Sequence, residues 1–282
     1  MSRALDQLFG RCRAENRCAF VPYLMLGDPD AGATLALAQA LARGGADLLE
    51  LGLPFSDPPA DGPVLQRAAE RALAAGMNTK KALKLLVEIK ATTGLPLSLL
   101  CYANPIERYG VAAFYRDMAA AGVDAVLVAD VPVEEVAPYA EAARQAGIAP
   151  VLLASALSSP ERLRQIGSVG GGYVYATARV GITGQQQQVA ANLSETVAAI
   201  AAGTGLPVVV GFGLAAPQHL QAVATAGADG AIIGSALAQR LQTFFAEGKA
   251  DLAAAALDLE QFAQSCRAAC VRPATPLRSP VC

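Results

Sequence analysis

Three carboxylates crowd one short stretch, Glu50, Asp57 and Asp61 in LLELGLPFSDPPADGP. Glu50 interrupts an apolar run, and an acid buried in a strand is costly unless it is paired or put to use. Asp61 follows on a loop rich in proline and glycine, the kind of segment that closes over a site. One carboxyl on a rigid strand and one on a covering loop can meet over a substrate. Burial then raises the pKa of one, so that it donates a proton, while the other stays charged. The plainer alternative is that Glu50 pairs with a lysine and that Asp57 and Asp61 serve turns and helix caps.

A second constellation suits an anion. GFGL (211–214) and IIGSAL (232–237) bring Gly211, Gly213 and Gly234 to two consecutive apolar runs, and Ser235 opens a helical stretch. Backbone N–H groups at such a helix start bind phosphate without any lysine. TARVGITG (177–184) offers a third glycine-bearing loop. The alternative is that these glycines only make tight turns.

Other chemistries lack their residues. The single histidine, His219, lies inside a helical pattern and reads as a surface residue. There is no HxH, HExxH or CxxC pattern, so no metal site is expected. No nucleophile elbow or Walker loop occurs. Lys80, Lys81, Lys84 and Lys90 share one helix and look solvated, which leaves no strand-borne lysine for a Schiff base. The work falls to carboxylates, tyrosines, backbone and Arg179.

Something must hold these groups in place, and the hydrophobic periodicity says what. Short apolar runs at 18–26, 47–52, 97–102, 125–129, 148–153, 172–176, 207–210 and 230–233 read as strands. Helical patterns at 31–43, 64–75, 79–92, 111–121, 134–145, 160–165, 192–202, 217–226, 236–247 and 251–269 separate and follow them, most ending near a glycine. An extra helical pattern precedes the first strand within residues 1–17. Ser159 is placed to cap the helix that Pro160 opens. Continuous apolar strands of this kind are buried on both faces, as a parallel sheet requires. Eight of them alternating with helices predict a single α/β (β/α)8 TIM barrel, with phosphate-binding loops after the sixth to eighth strands. Loosely repeated segments, GGADLLE, AGVDAV and AGADGAI, mark one helix–turn–strand unit used several times. In such barrels chemistry sits at the C-terminal ends of the strands, where Glu50 and the glycines fall.

The bulk properties agree. The chain has 282 residues, 54% hydrophobic and 16% charged, with a formal net charge of −2. That supports a large core and gives no basic field for nucleic acid or a membrane surface. The six cysteines are irregularly spaced and read as reduced thiols. No signal peptide or membrane-spanning run is expected, which points to the cytoplasm. Residues 1–270 are read as the barrel domain. The stretch VRPATPLRSPVC, 271–282, with three prolines, is expected to be a disordered tail.

The segment LELGLPFSDPPADGPVLQRA resembles the signature of the tryptophan synthase alpha subunit family. FVPYLMLGDPD, YANPI, VLVADVPVEE, RVGITG, GFGL and IIGSAL follow in the family's order, so the resemblance covers nearly the whole chain. It implies a lyase that cleaves indole-3-glycerol phosphate into indole and glyceraldehyde-3-phosphate in L-tryptophan biosynthesis. It implies Glu50 as the acid that protonates indole C3, and Asp61 as the carboxylate on the indole N–H. Tyr175 matches a tyrosine near both. Thr183 matches a loop threonine that contacts Asp61, and Gly184, Gly213, Gly234 and Ser235 match phosphate binders. Phe212 and Tyr102 match the wall of the indole pocket. The resemblance further implies no cofactor in this chain and an α2β2 complex with a beta subunit that carries pyridoxal phosphate. Asp57–Pro58, Asn104–Pro105 and Val131–Pro132 match partner-facing segments. A free-standing lyase and a regulatory subunit without catalysis are the competing readings, the second disfavoured by the presence of both carboxylates. Pro59 stands where the family commonly has leucine, which stiffens the loop bearing Asp61. Gln185 to Gln188 are read as a flexible polar run.

Overall fold

The computed structural model describes residues 2–177, 186–211, 213–245 and 251–273, without the side chains of 186–191. Eight parallel strands close on themselves in sequence order. They are β1 (Ala19–Met25), β2 (Leu49–Gly52), β3 (Leu97–Cys101), β4 (Ala125–Val128), β5 (Ala149–Ser155), β6 (Val174–Thr177), β7 (Val208–Gly211) and β8 (Gly230–Ile233). The seam is the parallel pairing of β1 with β8, Ala19 opposite Gly230 and Pro22 opposite Ile233. The expected barrel is therefore the observed one, with strand limits shifted by a residue or two.

The helices follow from their ends. α1 (Arg3–Ala14) precedes the barrel. α2 (Ala31–Arg43) starts where the Asp30 side chain accepts the Ala33 N–H at 2.8 Å. α3 (Pro63–Ala74) has proline in its first turn, where no N–H is needed. α4 (Thr79–Thr93) is capped by Asn78 and stopped by Gly94 at φ 67°, a left-handed conformation that glycine adopts without strain. α5 (Ala103–Tyr109), α6 (Val111–Ala120) and α7 (Ala137–Gln145) follow. α8 (Pro160–Val169) is capped by Ser159 as expected, the hydroxyl accepting the Arg162 N–H. α9 (Gln186–Thr204), α10 (Pro217–Thr225), α11 (Ser235–Phe245) and α12 (Leu252–Ala269) complete the series.

Two apolar layers result. Strand residues facing outward, such as Phe20, Leu49, Leu51 and Leu99, pack against the helix ring. Inward positions alternate with them, as a strand's period of two demands. Val21, Leu48, Leu127, Val151, Tyr173 and Val209 form a separate interior cluster. Leu5, Leu8 and Phe9 of α1 belong to that same interior cluster and close the floor of the barrel. Each such side chain contributes on the order of 1.5–3 kcal/mol by leaving water.

The floor is also where ions pair. The repeated glycine–Asp units place Asp47, Asp124 and Asp229 just before β2, β4 and β8. Each carboxylate accepts a backbone N–H from the preceding strand in the barrel: Phe20 for Asp47, Leu97 for Asp124, Val208 for Asp229. Asp47 also takes both Nη atoms of the buried Arg17, at 2.7 and 2.9 Å. Asp124 takes Lys90 Nζ at 2.8 Å. Lys90 is thus a partly buried ion-pair residue, unlike its exposed companions Lys80, Lys81 and Lys84.

Three further expectations change. The YANPIERY segment is a helix, α5, because Pro105 falls in its first turn, where proline costs no hydrogen bond. Gln186 to Gln188 are the helical opening of α9, not a loop; Gln185 lies outside the described residues. The stretch from 271 begins attached to the body. Arg17 and Val271 form an antiparallel bridge, the Arg272 N–H donates to Asn16 O, and Arg272 Nη2 donates to Ala228 O at 2.8 Å. Five cysteines, Cys12, Cys18, Cys101, Cys266 and Cys270, are free and buried.

Candidate active site

The open end of the barrel holds a cavity of about 520 Å³. Inward side chains of the strands line it in ring order, among them Tyr23, Glu50, Leu100, Leu127, Leu153 and Tyr175. Asp61 enters from the loop after β2, and Gly213, Gly234 and Ser235 from the loops after β7 and β8.

Glu50 is fixed by its strand. It stands opposite Tyr23 on β1 and Ser98 on β3, and is 1% exposed. Its Oε1 has no hydrogen-bond partner. Burial alone pushes its pKa up to about 8. The lysine pairing that would have made it structural is absent among the described residues. At neutral pH this carboxyl is mostly protonated, as an acid catalyst requires. Beneath it the Ser98 and Tyr173 hydroxyls are 2.8 Å apart and satisfy one another.

Asp61 is half-buried, and its backbone N–H donates to Pro58 O at 3.3 Å. Gln66 Nε2 donates to the Asp61 carbonyl at 2.9 Å, pinning the loop to α3. Burial raises the carboxyl's pKa, and the neighbouring Tyr102 phenol counters that. Tyr102 is buried beside Phe55, ring centroids 5.7 Å apart, and its hydroxyl completes no hydrogen bond by geometry. Burial and then the Asp61 carboxylate push the Tyr102 phenol upward. Asp57, by contrast, is exposed and bonded to Ser56 on the rim.

Tyr175 reaches across to β7, where its hydroxyl occupies the space that a side chain at Gly211 would need. Tyr23 does the same over Gly52 on β2. These strand-end glycines are there for the tyrosines as much as for any phosphate.

The segments expected to hold an anion bring Gly213, Gly234 and Ser235 to the cavity. Gly234 O accepts the N–H groups of Leu237 and Ala238 in the first turn of α11. The earlier N–H groups of that turn have no acceptor within the helix, and Gly234, Ser235 and Ala236 line the cavity. Gly213, at φ 77°, makes the turn after β7 that only glycine makes freely. His219 Nδ1 accepts the Ala215 N–H at 3.0 Å, so the histidine anchors this loop. Among the described residues lining the cavity there is no lysine, arginine or histidine.

Of the sequence-predicted site residues, Glu50, Asp61, Tyr102, Tyr175, Gly213, Gly234 and Ser235 meet around this one cavity. Arg179, Thr183, Gly184 and Phe212 lie outside the described residues. Sequence reasoning passed over Tyr23, Leu100, Leu127, Leu153 and Gln239, which also line the cavity. Strand parity would have found the first four, since each falls on the inward phase set by Glu50's ring. Among the described residues no group of His, Cys, Asp or Glu is arranged to hold a metal.

Comparison with known proteins gives the same answer throughout. A family profile described as tryptophan synthase alpha chain matches residues 9–268. The tryptophan synthase alpha chain of Shewanella amazonensis is 45% identical over 262 residues, 93% of this chain and 97% of that one. The Thermosynechococcus vestitus alpha chain is 40% identical, over 95% of this chain and 98% of that one. Among solved structures, tryptophan synthase subunit alpha from Legionella pneumophila superposes with a TM-score of 0.84 at 34% identity, covering 95% and 98% of the two chains. A chain of Mycobacterium tuberculosis tryptophan synthase gives 0.83 at 33%, covering 96% and 99%.

Proposed function

The chain belongs to the tryptophan synthase alpha chain family, and from that premise we propose that Glu50 and Asp61 divide its proton chemistry between them. The reaction is the retro-aldol cleavage of indole-3-glycerol phosphate to indole and glyceraldehyde-3-phosphate, a carbon–carbon lyase step of tryptophan biosynthesis. It needs no cofactor in this chain; pyridoxal phosphate belongs to the beta subunit.

The observation that carries the assignment is Glu50: buried, unpartnered, and raised to about 8. A neutral carboxyl there donates its proton to indole C3. The positive charge that develops on the ring is drained through the indole N–H, which Asp61, ionised, accepts. The bond from C3 to the glyceryl carbon then breaks and its electron pair returns to the ring. The carbinol O–H becomes the aldehyde, and its proton passes to the Glu50 carboxylate, which regenerates the acid. Tyr175 helps to place the two carboxyls, and Tyr102 and Phe212 flank the indole. The family resemblance assigns Thr183, which lies outside the described residues, to Asp61. The phosphate sits on the N–H groups of Gly184, Gly213, Gly234 and Ser235, with the α11 dipole behind them. Phosphate held by backbone suits a cavity whose described lining residues include no cation.

The partner in this reading is the beta subunit, in an α2β2 complex. Asp57–Pro58, Asn104–Pro105 and Val131–Pro132 all lie at the mouth end of the barrel. Asp130 Oδ1 accepts the Ala103 N–H at 2.9 Å, which ties the third loop to the fourth. The reading assigns the chain to the cytoplasm. No helix of the described residues is long and apolar enough to cross a membrane.

Indole release from indole-3-glycerol phosphate by the purified chain, with and without a tryptophan synthase beta subunit, tests this. Slow cleavage that rises at least tenfold with the beta subunit is expected. Fast cleavage indifferent to the partner would make it a free-standing lyase, and no cleavage in either case would leave only a regulatory role.

A further inference from the structure

Tyr23 is the buried titratable group at this site to which the family resemblance assigns no part. It is 2% exposed and in register with Glu50 on the neighbouring strand. Its ring passes under Gly234, whose missing side chain would lie 3.6 Å from Tyr23 Cβ. Its hydroxyl lies over Gly52, the inward position one layer above Glu50 and the last residue of β2 before the loop that carries Asp61. The hydroxyl therefore sits one layer above Glu50 in the cavity that Asp61 also lines. Its one hydrogen bond is to the thioether of Met25, at 3.7 Å. A thioether is a weak acceptor, so a strong donor is held at the mouth with nothing strong to bond.

We propose that Tyr23 is a positioning residue for the cleavage, its hydroxyl turning from the Met25 thioether to donate a hydrogen bond to the Asp61 carboxylate when substrate is bound. The geometry favours Asp61 over Glu50, because Glu50 Oε1 is left without a donor although Tyr23 stands beside it. The chemistry favours it too. A buried carboxylate that must stay ionised needs donors, and no lining cation among the described residues supplies one. Among the described residues, the titratable groups that share the cavity with Asp61 are the phenols of Tyr102 from the end of β3, Tyr23 from β1 and Tyr175 from β6, each of which feels the Asp61 charge, and Glu50 on β2. Burial, then the Asp61 charge, then Glu50 hold the Tyr23 phenol well above its ordinary range, so it remains a donor.

The inference rests on the reading of Asp61 as the ionised partner of the indole N–H. The test is Tyr23→Phe, which keeps the ring and removes only the hydroxyl. kcat should fall about tenfold, the loss of one hydrogen bond to a charged acceptor, with KM for indole-3-glycerol phosphate within about twofold. Without its donor Asp61 becomes harder to ionise, so the acidic limb of the kcat profile should move to higher pH while the basic limb stays. The melting temperature should hold. An unchanged kcat, a fall in kcat with the acidic limb fixed, or a shift of the basic limb instead would each overturn the proposal. Asp61→Asn, assayed alongside, separates the two claims: if that variant cleaves normally, the reading of Asp61 itself fails whatever Tyr23→Phe does.

Discussion

Asp47, just before β2, and Glu50, on it, lie three residues apart, are 4% and 1% exposed, and have opposite surroundings. Asp47 faces the floor. It takes two bonds from Arg17, one from the Phe20 N–H, a longer one from Arg11, and has Arg267 at 3.8 Å. Glu50 faces the mouth and has an orphaned oxygen. The same barrel thus buries one carboxylate with every charge answered and another with none. Burial alone does not make an acid catalytic. What sets these two carboxyls apart is their partners, and the one left with an orphaned oxygen is at the end where the loops converge.

Removing each carboxyl's chemistry separates the two ends most sharply. Glu50→Gln should lower kcat for indole release by at least about a thousandfold, the scale of losing a general acid and its charge balance. Because folding raises the Glu50 pKa from 4.5 to about 8, the native state holds its proton more tightly than the unfolded chain. That carboxyl therefore favours folding least at high pH, and its penalty grows as pH climbs from about 4.5 through 8. Glu50→Gln should accordingly be more stable than the parent at pH 9, by roughly 2 to 4 kcal/mol, and nearly equal at pH 4. Urea melts at the two pH values measure this, and equal stability of the two proteins at pH 9 would mean that Glu50 is not a strained acid.

At the other end, Arg17→Met should cost about 3 to 5 kcal/mol by stranding the Asp47 carboxylate. kcat per folded molecule should stay within about twofold, as expected for a contact a full barrel height from the chemistry. A large loss of turnover without loss of stability would dissolve the division between the ends. The smallest effect is expected where the floor meets water. Arg13 is 57% exposed and bonds Asp229 at 3.3 Å. Arg13→Ala should change stability by less than about 0.5 kcal/mol in the same melts.

Much of this was legible in the chain before its fold was known, for physical reasons. Eight apolar runs can be buried on both faces in few ways, so the barrel followed from the alternation. Glu50 announced itself by being an acid among leucines. Tyr23 did not, because a tyrosine in CAFVPYLML is an ordinary member of an apolar strand. Only the parity of β1 against β2 turns it inward beside Glu50. The repeated Asp of GGAD, AGVD and AGAD was visible as a pattern. Its use, capping the start of the neighbouring strand, depends on contacts between segments some 20 to 27 residues apart, which periodicity does not encode. α5 offered no periodicity to read, being seven residues long with Ile106 as its buried residue, and Pro105 sits in its first turn. Val271 and Arg272 read as tail because their anchors, Arg17, Asn16 and Ala228, lie far off in sequence.

The plug formed by α1 has a last consequence. With Leu5, Leu8 and Phe9 seated in the barrel's interior, the described residues close the floor and leave the rim as the way in. Substrate arrives and both products depart past the loops that follow the strands. Any protein seated on that rim therefore becomes the gatekeeper of what this chain releases, without touching a single reacting atom.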